Sequence, residues 1–307
     1  MPAEGIHLTA LREALASPRI DPAVRRRVVR REDHARLGAL LVDLPYFHRY
    51  VEEVVRYALH VTAKPSPWGA ELHEGGAIAL LDGVLAVARE RQDEAVGAMA
   101  LGLASHLAID RALHPLINAL ARANPVGADL GSAHREVEKF QSIVFHERYH
   151  DRDLMGRAGM REYLVIHAAR RLDDAALGGA ILAAYTRAFG RAPSARALVG
   201  FGRGYDAHTR LLASPIGRRI APPAEKARAI PIYLHGAWGT FEACLEAAIA
   251  ASLPVIEAAC AVLDASAREL DAAQARLHRV LPPGTIDPDG VGVDLGQPFV
   301  VALPMAA

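Results

Sequence analysis

Three residues that make good metal ligands, His106, Asp110 and His114, stand four apart in the stretch from Ser105 to Pro115. On an α-helix such residues lie a turn apart on one face. Twenty positions on, His134 and Glu138 repeat the i, i+4 spacing. Two helices that each present a His and a carboxylate on one face can build a site for more than one divalent metal. A metal pair lowers the pKa of bound water and activates phosphate esters for attack. The positions around His106 are small or apolar: Leu101, Gly102, Leu103, Ala104, Leu107, Ala108 and Ile109. Burying polar side chains there without partners costs roughly 1–3 kcal/mol each, and a metal removes that cost. The plainer alternative is a buried His106–Asp110 hydrogen bond with His114 exposed beside Pro115. A lone pair such as His134–Glu138 is common on polar helices, so the metal reading rests on all five residues together.

Further candidates are His7, among Ile6, Leu8 and Leu11; Asp43, in the apolar run Leu40 to Phe47; and His73, in Glu71 to Gly76. Taken singly, each reads as a capping or surface residue, although a carboxylate in so apolar a setting as Asp43 needs a partner. His34, His48, His60, His146, His150 and His167 show no ligand pattern. Tyr46, Phe47 and Trp68 are the aromatics expected at the rim of a site. The chain has no Gly-x-Ser-x-Gly elbow, and its two cysteines, Cys244 and Cys260, lie outside the ligand-rich half. Water is therefore a better nucleophile than a side chain.

The elements that must hold these residues are helical. Apolar periodicity predicts helices over Ile6–Leu15, Arg36–Leu59 with a start or kink at Pro45, Leu72–Arg89, Asp93–Asn118 and Ser132–Tyr149. Asp93 and Ser132 are the expected N-caps. Loops are expected at Pro65–Gly69 and Asn124–Gly127. Later helices are expected over Arg161–Arg171, Ala175–Phe189 and Ala195–Leu212, with a long stretch from Ala224 to Val280 divided by Pro231 and Pro254. From Pro282 the composition changes to an irregular tail, where alternating Val291, Val293 and Leu295 leave room for one short strand. The expected fold is all-α, a single multi-helix domain with the metal site between helices. It comprises a metal-binding half (1–150), a helical supporting half (151–281) and a tail (282–307).

A chain of 307 residues can bury a substantial core. Lys plus Arg and Asp plus Glu are equal at 35 each, so no net charge draws the chain to nucleic acid or to an anionic surface. The basic run Arg25–Arg31 reads as a solvated helix face. Two cysteines make no disulfide framework and no thiolate metal site, and both read as buried free thiols. No secretory signal stands at the N-terminus and no apolar run reads as a transmembrane segment, so the expected address is cytoplasmic, or secreted if the N-terminus is processed.

The ordered set His7, Asp43, His73, His106-x3-Asp110-x3-His114 and His134-x3-Glu138 resembles the zinc-dependent phospholipase C family. That family includes the catalytic domain of glycosylphosphatidylinositol-specific phospholipase D. Ile6–Leu15 is similar to the family's opening helix, Val42–Tyr46 to its Pro-Asp segment and Ala100–Pro115 to its core helix. The likeness covers roughly residues 5 to 145. It implies a phosphodiester hydrolase acting on a phospholipid or small phosphodiester, with two or three zinc ions; iron and manganese suit the same ligands. Asp43, His73, His106 and Asp110 would hold one metal, and His114, His134 and Glu138 a second. His7 and Asp110 would share a third, with Asp110 bridging. Asp43, or water bridged between metals, would supply base and nucleophile, making Asp43 and Asp110 the catalytic pair. Two features depart from the family. Exported members use the α-amine of the mature chain at the third metal, whereas six residues precede His7 here; and no export signal is visible. The competing readings are an iron-dependent oxidase built on the same helices and a non-enzymatic helical protein.

Overall fold

The computed structural model describes residues 4–59, 61, 66–127 and 129–301. Among them the chain is all-α apart from one two-residue strand pair. The expectations for His60 and Pro65 lie outside the described residues. Helix α1 (Glu4–Ala16) is followed by α2 (Pro22–Val29), whose first turn is capped by the Asp21 carboxylate accepting from the Ala23 N–H. The expected helix over Arg36–Leu59 is three pieces: the end of α3 (Glu32–Gly38), a 3-10 turn at Leu44–Phe47, and α4 (Tyr50–Ala58). Pro45 opens the 3-10 turn, and Arg49 at φ 56° is left-handed, which no continuous helix tolerates.

Pro67-Trp68-Gly69 opens a short helix, α5 (Pro67–Glu71), where a loop was expected. Proline suits the first helical turn because its missing N–H would have no partner there. His73 lies in a wide π-type turn, Leu72–Gly76, rather than in regular helix; Gly75 at φ 147° breaks the run before α6 (Ala77–Arg91). Asp93 caps α7 (Glu94–Ala123) as expected, accepting from the N–H groups of Ala95 and Val96. Asp129 rather than Ser132 caps α8 (Leu130–Tyr149); its carboxylate takes the Ser132 N–H at 2.7 Å.

The second half supplies α9 (Ala158–Leu164), α10 (Ala175–Phe189), α11 (Ala195–Ala213), α12 (Pro223–Ala229), α13 (Phe241–Asp264) and α14 (Leu270–Val280). The helix expected over Arg161–Arg171 stops at Leu164. Val165 is extended, and the Asp33 carboxylate takes the N–H groups of His167 and Ala168. Pro231 falls in a π-type turn that leads to the antiparallel pair β1 (His235–Gly236) and β2 (Gly239–Thr240). Pro254 does not divide α13, which packs along α7 and α14 and stays continuous at the loss of one N–H. The tail forms no strand at Val291–Leu295. Gly290 and Gly292 take φ of 68° and 89°, which destroys the alternation.

α7 is the centre of the fold, packed on by α1, α3, α6, α8 and α13. At its crossing with α3, a Cβ on Gly102 would overlap the Ala35 carbonyl, and one on Gly38 would overlap that of Met99. Glycine therefore sets how close the two backbones lie. Cys244 and Cys260 are buried free thiols, pushed up to about 11 by burial. Contrary to the expectation from sequence, α7 and α13 are each long and apolar enough to cross a bilayer by length and composition. The ligands of α7 and Pro254 of α13 disguise this in the sequence. In α7, 94% of the most apolar window is buried inside the fold, as in a core helix; for α13 the share is 56%.

Candidate metal centre

His106, Asp110 and His114 form one buried stripe on α7, with exposures of 1%, 3% and 3%. The alternative with His114 exposed is thereby overturned. α8 brings His134 and Glu138 against this stripe, and α1 brings His7. Asp43, just before the 3-10 turn, and His73, in the π-type turn, close the far side. All eight sequence candidates meet in one place. A cleft of about 270 Å³ is lined by seven of them together with Tyr46, while the side chain of His106 lies fully buried beneath. A larger groove of about 940 Å³ runs from His48–Glu52 to α10 and α11, and none of the eight lines it.

Asp110 is the hub. Its Oδ1 lies 3.2 Å from His7 Nε2 and 3.4 Å from His114 Nε2; its Oδ2 lies 2.8 Å from His106 Nε2. Glu138 Oε1 is 3.2 Å from His134 Nε2 and 3.6 Å from His114 Nε2, and Asp43 Oδ1 is 3.4 Å from His73 Nε2. All five imidazoles thus turn Nε2 toward a carboxylate. Three sets have ligand atoms within 4.8 Å of one another and can hold a metal ion: His7, His106 and Asp110; Asp43, His73 and His106; and His114, His134 and Glu138. The last set is the one the resemblance implies for its second metal. The first two share His106, so the four-residue set implied for the first metal divides between them.

The outer ring nitrogens are held in place. His106 donates Nδ1–H to the Ala39 carbonyl at 2.8 Å, His73 to that of Gly69 at 2.9 Å, and His134 to the Asn118 side-chain oxygen at 2.7 Å. Each of these bonds fixes the tautomer with its free lone pair on Nε2, the arrangement that ligating histidines use. The residues fit a metal on a second count. His106 Nε2 is buried without a properly directed hydrogen bond, despite lying 2.8 Å from Asp110. The two groups attract as charges but are poorly aligned for a hydrogen bond, and a cation between them would satisfy both.

Charge compensation runs through the whole cluster. Burial alone would push His106 down, but the charges of Asp110 and Asp43 outweigh it and raise it to about 9. His114 is raised well above its ordinary value in spite of burial, by Asp110 first. Burial opposes ionisation of Asp110, yet the charges of His106, His114 and His7 hold it well below the usual range. Glu138 is held low in the same way by His134 and His114, and Asp43 by His106 and His73. Without metal, protons on His106 and His114 balance the buried carboxylates; a divalent cation could take their place.

No family model, characterised protein or solved structure matches this chain.

Two of the three expected rim aromatics are elsewhere. Phe47 is 2% exposed and packs on Tyr205 and His208, and Trp68 packs on Tyr185 and Phe189 under the Arg191 guanidinium. Only Tyr46 reaches the cleft. Two residues near the ligands escaped the sequence reading. Asn118 continues the 106–110–114 series by one more turn, a signal that was present. Asp287 comes from the tail, 3.3 Å from His114 Nδ1, and nothing local in Asp287-Pro288-Asp289-Gly290 announces it. His146, which carried no ligand pattern, and His208 are buried structural residues. His146 donates to the Ser142 carbonyl, and His208 sits 2.5 Å from the Glu4 carboxylate.

Proposed function

We propose that this protein is a metal-dependent phosphoester hydrolase of the phospholipase C type, working with two or three zinc ions. The observation that carries the reading is the inward convergence of five imidazole Nε2 atoms and three carboxylates at one cleft. Five nitrogen donors with no thiolate favour zinc over magnesium or calcium. When bound, such a cluster supplies a water of lowered pKa and positive charge for the phosphoryl oxygens.

The chain's own residues divide the remaining work. Asp110 offers one oxygen toward His7 and His114 and the other toward His106, so it would help hold the ions bound on either side of it. Asp43 stands at the cleft wall and is held ionised, ready to orient the attacking water and accept its proton. Tyr46, whose hydroxyl is kept protonated by burial, can donate a hydrogen bond at the rim. A volume of about 270 Å³ suits a small phosphodiester or a phospholipid headgroup. The test is elemental analysis of protein purified without added metal, together with turnover of bis-p-nitrophenyl phosphate. Turnover should vanish with a chelator and return with zinc. Full metal occupancy without phosphodiester turnover would overturn the hydrolase reading, and high iron content would favour oxidation instead.

A further inference from the structure

We infer that Asn118 and Asp287 form an outer lock on the His114–His134–Glu138 half of the centre, so that the C-terminal tail is part of the metal site. The inference rests on the metal reading above and adds two positioning residues to it. Asn118 stands between two partners. Its side-chain oxygen accepts from His134 Nδ1–H at 2.7 Å, and its amide donates to Asp287 Oδ1 at 2.6 Å. The same Asp287 oxygen lies 3.3 Å from His114 Nδ1. One amide–carboxylate pair therefore stands behind both histidines of this set, through a directed hydrogen bond at His134 and a charge contact, not a directed hydrogen bond, at His114. A carboxylate behind a ligating imidazole fixes its tautomer and orientation and raises its basicity.

The tail is held as a strap firm enough for this task. The Thr285 hydroxyl donates to the His73 carbonyl at 2.8 Å, and Ile286 is wholly buried beside it. Asn118 also donates to the Pro288 carbonyl at 2.8 Å. Arg111 donates to the Pro282 carbonyl, and Arg122 to Asp289. Gly290, at φ 68°, seats against the Pro115 carbonyl where any Cβ would overlap it. The strap thus crosses α7 over the ligand stripe and is anchored on both sides of Asp287.

The experiment is zinc titration of the full chain against a chromophoric chelator, with cobalt(II) as a spectroscopic probe of each class of site. Asp287→Ala should weaken one class of zinc site by roughly ten- to a hundredfold, leave the other in place and shift the cobalt spectrum of the weakened class. Asn118→Ala should weaken the same class, and the double variant should lose less than the product of the two single losses. If Asp287→Ala does not fold, Asp287→Asn decides: it keeps an oxygen acceptor for His114 and should lose only severalfold. Unchanged zinc affinity in the folded variants, or equal weakening of both classes, would overturn the lock. A wild-type chain that takes up no zinc would overturn the metal reading itself, a separate outcome.

Discussion

His106 and Asp110, one turn apart on α7, bring Nε2 and Oδ2 to 2.8 Å without forming a directed hydrogen bond. Both residues are buried, and His7 Nε2 lies 3.2 Å from the other Asp110 oxygen, Oδ1. With His7 they form one of the three sets able to hold a metal ion.

Asp110→Asn removes the negative charge at that hub. The variant should lose metal and phosphodiester turnover together, with turnover falling at least a hundredfold, or roughly 3 kcal/mol in barrier. His134→Ala should cost one metal equivalent and spare part of the rest. Elemental analysis beside kinetics checks both. Full metal content in Asp110→Asn would remove the bridging role.

Metal uptake should be linked to proton release. His106 is raised from 6.5 to about 9 in the metal-free fold. The stability this contributes is fully present below pH 6.5 and is lost as pH rises toward 9, on the order of 3 kcal/mol. Metal-free protein should therefore melt at lower temperature at pH 9 than at pH 6.5. Zinc binding at pH 7.5 should release more than one proton, since His114 is raised as well. Calorimetry in two buffers of different ionisation enthalpy measures the count; zero protons would contradict the charge balance described.

At the acid end His146 acts in the opposite sense. Burial lowers it to about 4, with Nδ1–H given to the Ser142 carbonyl and Nε2 facing the hydroxyls of Thr9 and Tyr163. Its neutral form is fully compatible with the fold above pH 6.5, and stability is lost as pH falls from 6.5 toward 4, again about 3 kcal/mol. His146→Gln keeps a donor and an acceptor but cannot take up the proton. Denaturant midpoints between pH 7 and pH 4.5 should fall less in this variant than in the wild type. Parallel losses in the two would show that other groups govern acid unfolding.

Gly102→Ala couples packing to the site. The new methyl meets the Ala35 carbonyl and forces α3 away from α7, a strain of roughly 1–3 kcal/mol. Ala39, just past the end of α3, carries the carbonyl that orients His106. A lower melting temperature should therefore come with weaker binding of at least one metal. A destabilised variant with wild-type zinc affinity would separate the crossing from the site.

What was legible in the sequence is what local spacing encodes. The i, i+4 stripe of α7, the His134–Glu138 pair, the Asp93 cap and the limits of α10 all follow from patterns within a few turns. The eight ligand-type residues meet as their order suggested. Failures came where the deciding partner is distant. Just past the end of α9, the His167 N–H goes to Asp33, 134 positions away. The packing of α13 overrides Pro254, and Phe47 and Trp68 are claimed by second-half aromatics rather than by the cleft. Asp287 reaches His114 only because glycines and buried Ile286 lay the tail across α7. Ser132 and Asp129 are both good caps by type, and only geometry chose between them.

The strap gives the centre an unusual span along the chain. Its innermost residues begin at His7 and its outer carboxylate is Asp287, so segments near the beginning and the end of the described residues meet at one cleft of about 270 Å³. Such a closure joins residues far apart in sequence and carries a large loop-closure cost. Metal binding should then act as a latch on global unfolding rather than on one local segment. Amide hydrogens of α1 and of residues 282–290, distant in sequence, should gain protection together as zinc is added, by an amount set by free metal over its dissociation constant.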